Sequence, residues 1–117
     1  MKWAGANNPL WYFQDGKMMQ IAPDKQPIGK SDMQKSFATH SVQMKKGDEF
    51  FLFTDGFADQ FGGEKGKKFR YKPLLELLET LIDKPVFKQK EILLSTFNTW
   101  KGDLEQVDDV LVMGIKF

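Results

Sequence analysis

The chain has 117 residues, 41% of them hydrophobic, which suits one small domain with a modest core. Seventeen basic residues against sixteen acidic leave a net charge of +1, so a broad nucleic-acid or anionic-membrane footprint is not expected, and the absence of cysteine excludes disulfides, thiolate metal sites and cysteine nucleophiles. No segment approaches the ~20 apolar residues of a membrane span, and the N-terminus lacks the apolar core of a signal peptide. The expectation is a soluble, cytoplasmic polypeptide without nucleic-acid or membrane contact.

In chain order, Trp3-Ala4-Gly5-Ala6 reads as the end of a strand, and Asn7-Asn8-Pro9 as a turn before the apolar run Leu10-Trp11-Tyr12-Phe13. Gln14-Asp15-Gly16-Lys17 is a hairpin turn leading into Met18-Met19-Gln20-Ile21. Beginning inside a strand, the chain reads as a piece of something longer. From Ala22 to Ser36 the residues are rich in Pro, Lys, Asp, Gln and Gly with no visible period, which predicts a loop. Phe37 to Met44 alternates roughly and is expected to form a hairpin with the run that follows. The lone His40, with no second histidine for a ligand pair, reads as a surface or strand residue.

That following run is the centre of the sequence. Phe50-Phe51-Leu52-Phe53, bounded by Gly47-Asp48 and by Thr54-Asp55-Gly56, predicts a short strand buried on both faces. Asp55 leaves its end, and Gly56 permits a sharp turn, so a carboxylate is aimed from a rigid element. A plain strand and turn would use the same residue types. A second acidic element, Asp108-Asp109, opens the apolar run Val110-Leu111-Val112, and two strand ends carrying Asp side chains invite a cation between them.

Between these elements, Gly62 to Lys68 carries three glycines and three lysines, Lys65, Lys67 and Lys68. The phosphate-loop pattern G-x-x-x-x-G-K-[ST] is absent, so a solvated loop is expected, with phosphate steering by the lysines as the lesser reading. Pro73 suits a first helical position, and Leu74, Leu77, Leu78, Leu81 and Ile82 recur at three- and four-residue spacing until Pro85 stops the helix. A second helix from Lys88 to Trp100 places Leu93, Phe97 and Trp100 on one stripe with Ile92 and Leu94 beside it, and Gly102 ends it. The last strand is expected over Val110 to Phe117. Meander, hairpin, two helices and a strand predict an α+β fold, antiparallel sheet covered by helices.

Taken together, these pieces resemble the C-terminal half of a SpoIIE-type serine/threonine phosphatase, a bacterial branch of the metal-dependent PPM phosphatases. The resemblance is carried in order by Ala4-Gly5-Ala6-Asn7-Asn8-Pro9-Leu10, by Pro27-Ile28-Gly29, by Lys46-Gly47-Asp48 running into Phe53-Thr54-Asp55-Gly56, and by Asp108-Asp109. It covers nearly all of residues 1–117 as a single domain and implies part of a PPM-type αββα sandwich with a binuclear Mn²⁺ or Mg²⁺ centre. By that match Asp55 and Asp108 are metal ligands, Gly56 supplies the tight turn, and Asp59 and Asp109 stand behind or beside the ligands. The implied reaction is hydrolysis of phosphoserine or phosphothreonine in a phosphorylated regulatory protein.

Two departures qualify it. The family's early Gly-Asp element, whose Asp bridges both metals, has no counterpart, and Leu111 stands where the family usually has Thr. The expectation is therefore a segment inactive alone, with weak or no metal binding, whose full-length parent is the enzyme. A phosphatase class with a nucleophilic Asp and a second Asp two residues on is disfavoured, because that position is Phe57. A non-catalytic interaction module on a degenerate phosphatase fold is the other reading. Uncovered sheet edges and apolar faces make a homodimer a further expectation.

Overall fold

A computed structural model describes residues 1–29 and 35–117. The chain divides into two compact units: Met1–Leu52 together with Met113–Phe117, and Phe53–Val112.

The first unit is a sheet. Strand β2 (Leu10–Gln14) turns tightly into β3 (Lys17–Ile21), with Leu10 opposite Ile21 and Gln14 opposite Lys17. The turn residues Asp15 and Gly16 have φ of 52° and 76°, the pair of positive values that a two-residue hairpin of the right twist demands. On its other side β2 pairs antiparallel with β5 (Glu49–Phe53), Trp11 facing Phe51 and Tyr12 facing Phe50. The strand order is β3-β2-β5-β8, with β8 spanning Val112–Lys116, so β5 is interior and β8 is outermost.

The expected hairpin between residues 37–44 and β5 does not form. Both flanks of β5 are taken, by β2 and β8, and the short strand β4 (His40–Ser41) instead pairs antiparallel with β1 (Lys2–Trp3). The rings of Trp3 and His40 lie 5.9 Å apart, and the N-terminal amine donates to the Val42 carbonyl at 2.9 Å. Nor is β5 buried equally on both faces. Glu49, Phe51 and Phe53 are buried while Phe50 and Leu52 are half-buried, the period-two signature of a sheet with one face covered more completely than the other. Along β8 the alternate side chains Met113, Ile115 and Phe117 are 44%, 42% and 48% exposed. On the opposite face Lys116 reaches the fully buried Glu49 carboxylate at 4.0 Å. Part of the loop expected over residues 22–36, residues 30–34, lies outside the described residues; what is described includes a bridge between Ala6 and Asp24 and a bond from the Ala38 N–H to the Asp24 carboxylate at 2.8 Å.

The second unit is organised by aromatic rings and two helices. Asp55 is followed by a single helical turn, α1 (Gly56–Asp59), and then by the short strands β6 (Phe61–Gly62) and β7 (Lys67–Lys68), which pair antiparallel. The glycine-rich stretch expected as a loop is thus the turn of a hairpin. Helix α2 (Tyr71–Leu81) begins two residues before Pro73, so the proline occupies the third helical position, still within the turn whose N–H groups need no helical partner. Leu74, Leu78 and Leu81 are its buried stripe. Gln89, buried on α3 (Val86–Lys101), donates through Nε2 to the Leu81 and Lys84 carbonyls at 2.9 and 3.1 Å, satisfying the end of α2. Phe57 packs against Phe97 and Phe69 with ring centroids 5.2 and 5.1 Å apart, and Phe69 meets Trp100 edge-on at 5.4 Å. Leu94, expected near the core stripe, is exposed instead.

Candidate active site

The two acidic motifs of the sequence are drawn together through their backbones. Thr54, just past β5, donates its hydroxyl to the Asp109 carbonyl at 3.0 Å and accepts from the Leu111 N–H at 3.0 Å, while its own N–H donates to the Leu111 carbonyl at 3.0 Å. Thr54 and Asp109 are 55 positions apart in sequence. One side chain, read from sequence as a turn residue, therefore clasps both ends of the site.

Gly56 completes the clasp, though not by the route the sequence suggested. Its φ is outside the left-handed region, so no sharp turn calls for glycine there. A Cβ at this position would stand 2.2 Å from the Asp109 carbonyl oxygen and 3.1 Å from Val110, so the residue is glycine because another backbone crosses where a side chain would be.

Asp55 precedes α1 and is exposed; its side chain makes no cap bond, and among the described residues its carboxylate accepts no hydrogen bond. Asp108 is also exposed and bends one carboxylate oxygen back to its neighbour's amide, Asp109 N–H to Oδ1 at 2.7 Å. Asp109 serves the fold through its main-chain oxygen. Asp59, at the end of α1, forms an ion pair with Lys68 of β7 at 3.6 Å.

Two neighbours were not singled out from sequence. Tyr71 opens α2 with its ring 6.0 Å from Phe53; burial pushes its phenol above the ordinary value, and the negative charges of Asp55 and Asp59 push it further. Arg70, immediately before it, has φ 76° and ψ 161°, a backbone conformation that belongs almost wholly to glycine. Nothing in the residue type announces that conformation. No spacing in the sequence marks Tyr71 as a neighbour of Asp55.

As a metal site, the set is partial. Among the described residues no three His, Cys, Asp or Glu side chains converge to hold an ion. Asp55 and Asp108 fall short of the six or so oxygens that a hard divalent cation takes, so the residues present do not make a complete centre.

The family model for stage II sporulation protein E, SpoIIE, matches residues 2–117. The chain belongs to the SpoIIE family. Among solved structures, this SpoIIE-family chain is similar to the SiaA-PP2C domain of Pseudomonas aeruginosa, with 29% identity and a TM-score of 0.87 over 99% of its own length. It spans 46% of that chain. No curated protein matches it. The fold is accordingly that of part of a PPM-type domain, with antiparallel sheet and helices as the sequence led one to expect. Among the described residues no helix is long and apolar enough to cross a membrane.

Proposed function

We propose that this chain is the part of a SpoIIE-type phosphatase domain that brings Asp55 and Asp108 to the reaction centre, and that the complete domain removes phosphate from phosphoserine or phosphothreonine in a cytoplasmic regulatory protein. The observation that supports this most is the Thr54 clasp, which fixes the exit of β5 against the Asp109–Leu111 backbone and so keeps two exposed carboxylate-bearing segments adjacent. The remaining ligands come from outside this chain. Mn²⁺ or Mg²⁺, when bound by the complete set, supplies Lewis acidity toward water and the phosphoryl oxygens.

What these residues do themselves follows from their surroundings. Asp55 is held by its main chain, since the Asp59 N–H donates to its carbonyl at 2.9 Å, while among the described residues its carboxylate accepts no hydrogen bond, which leaves it available to ligate. Asp59 is engaged by Lys68, which keeps a second negative charge close to Asp55 without competing for the same cation.

In the complete domain, Asp55→Asn and Asp108→Asn should each abolish hydrolysis of a phosphoserine peptide while circular dichroism stays unchanged. Unaltered turnover in both variants would overturn the assignment. Retained binding of the phosphoprotein by a wild-type domain without any turnover would select the non-catalytic module instead.

A further inference from the structure

The basic stretch that the sequence reads as a solvated loop, with phosphate steering by its lysines as the lesser reading, is anchored to the candidate site. Lys65, Lys67, Lys68, Arg70 and Lys72 are all exposed and fall within eight consecutive residues, in a chain whose net charge is only +1. Their attachment is specific. The Arg70 N–H donates to the Ala58 carbonyl at 2.7 Å and the Phe69 N–H to the Gln60 carbonyl at 3.0 Å, so the segment is stitched along α1 and its exit. Ala58 lies three residues beyond Asp55 in that turn, about 5 Å along the helix axis. Lys68 adds the ion pair to Asp59, and its ammonium sits 5.9 Å from the Phe61 ring.

At the end of this stitched segment is the strained residue. An arginine in a glycine-type conformation is strained, and here the bond from its N–H to Ala58 holds it there. Glycine would hold this backbone without strain. Among the described residues the Arg70 guanidinium is exposed and has no ion pair or hydrogen bond. Its immediate neighbour Tyr71 opens α2 with its ring 6.0 Å from that of Phe53, the last residue of β5 before Thr54 and Asp55. A planar, always-charged fork on a backbone tied to α1 is the shape that matches a phosphate dianion bidentately.

We propose that Arg70, backed by Lys65, Lys67 and Lys72, is the substrate-reading arm of this site and takes the phosphate and acidic flanks of a phosphopeptide. The inference rests on the phosphatase reading for the identity of the substrate. Lys68, committed to Asp59, holds the arm in place.

The test is fluorescence anisotropy on the 117-residue chain, with a labelled phosphoserine peptide flanked by glutamates, its unphosphorylated twin, duplex DNA, and phosphatidylserine vesicles as competitor. The phosphopeptide should bind at least about tenfold more tightly than the twin, and Arg70→Gly combined with Lys67→Glu should remove about that factor. Arg70→Gly relieves the strained φ, so the variant's folding is not at issue. Lys25→Glu, in the other unit, should change nothing. Equal affinity for both peptides, indifference to the Arg70 variant, or stronger arginine-dependent binding of DNA or vesicles would each overturn the proposal. Loss of turnover in Asp55→Asn with phosphopeptide binding indifferent to Arg70 leaves the phosphatase reading standing and removes this one. Arginine-dependent phosphopeptide binding by a domain that turns over no phosphomonoester does the reverse.

Discussion

Strand β5 begins and ends beside an Asp-Gly or Gly-Asp pair, and the two aspartates have opposite lives. Asp48, at the entry, is tied down: its Oδ2 accepts from the Gln14 amide at 2.7 Å and from the Lys45 N–H at 2.8 Å, and these two bonds hold its carboxyl below the ordinary range. Asp55, at the exit, is exposed and accepts no hydrogen bond among the described residues. The same residue type beside the same glycine is structural where the fold supplies donors and available for chemistry where the fold withholds them. The difference lies in the partners, which sequence does not print.

The sharpest way to break that contrast is at the glycines. Gly47 has φ 95° and open space around it, whereas a Cβ on Gly56 would collide with the Asp109 backbone. Gly56→Ala should therefore destabilise the second unit by about 3 kcal/mol through overpacking against a backbone that cannot rotate away, read from urea unfolding. A cost near zero would mean that the two motifs are not pressed together as described.

A smaller effect separates the aspartates themselves. Asp48→Ala should lower the denaturation midpoint, because two donors lose their acceptor, while Asp55→Asn should leave it unmoved. The pH dependence has a definite sign. A carboxyl whose folded pKa is depressed contributes stability above its unfolded value of about 3.9, and that contribution is lost as pH falls through the folded value. The acid limb of the stability curve should be shallower in Asp48→Ala than in the wild type. Matching shifts from Asp55→Asn would erase the distinction.

The smallest effect is spectroscopic. In a Tyr12→Phe background, the ultraviolet titration of Tyr71 should move to lower pH when Asp55 becomes Asn, since one of the negative charges opposing the phenolate is gone. No movement would place Asp55 out of reach of Tyr71.

How much of this was legible depends on the range of the interactions involved. The Asp15-Gly16 turn could be read directly, because its requirement for two positive φ values is local and only a few residue types meet it. Helix α2 was equally plain, since Leu74, Leu78 and Leu81 mark one face by spacing alone. The partner of β4 was not legible: alternation identifies extended chain but cannot say that β5 is already flanked. At the site, Asp55 and Asp108 stood out as acidic residues next to apolar runs, but Thr54 and Gly56 carried a local disguise. Both are ordinary turn residues, and their roles exist only because residues 109–111 arrive from half a chain away. Arg70 was invisible for the opposite reason, as a residue whose type argues against its conformation.

The outermost strand of the first unit carries a consequence for handling the chain. Natural sheets guard such a rim with short strands, prolines or charged side chains, inward-pointing ones included. On β8 the lysine is turned inward to Glu49, and the outward row is Met113, Ile115 and Phe117. That half-exposed apolar row is where copies of the chain would first meet, and concentrated, high-salt preparations will be the first to show it.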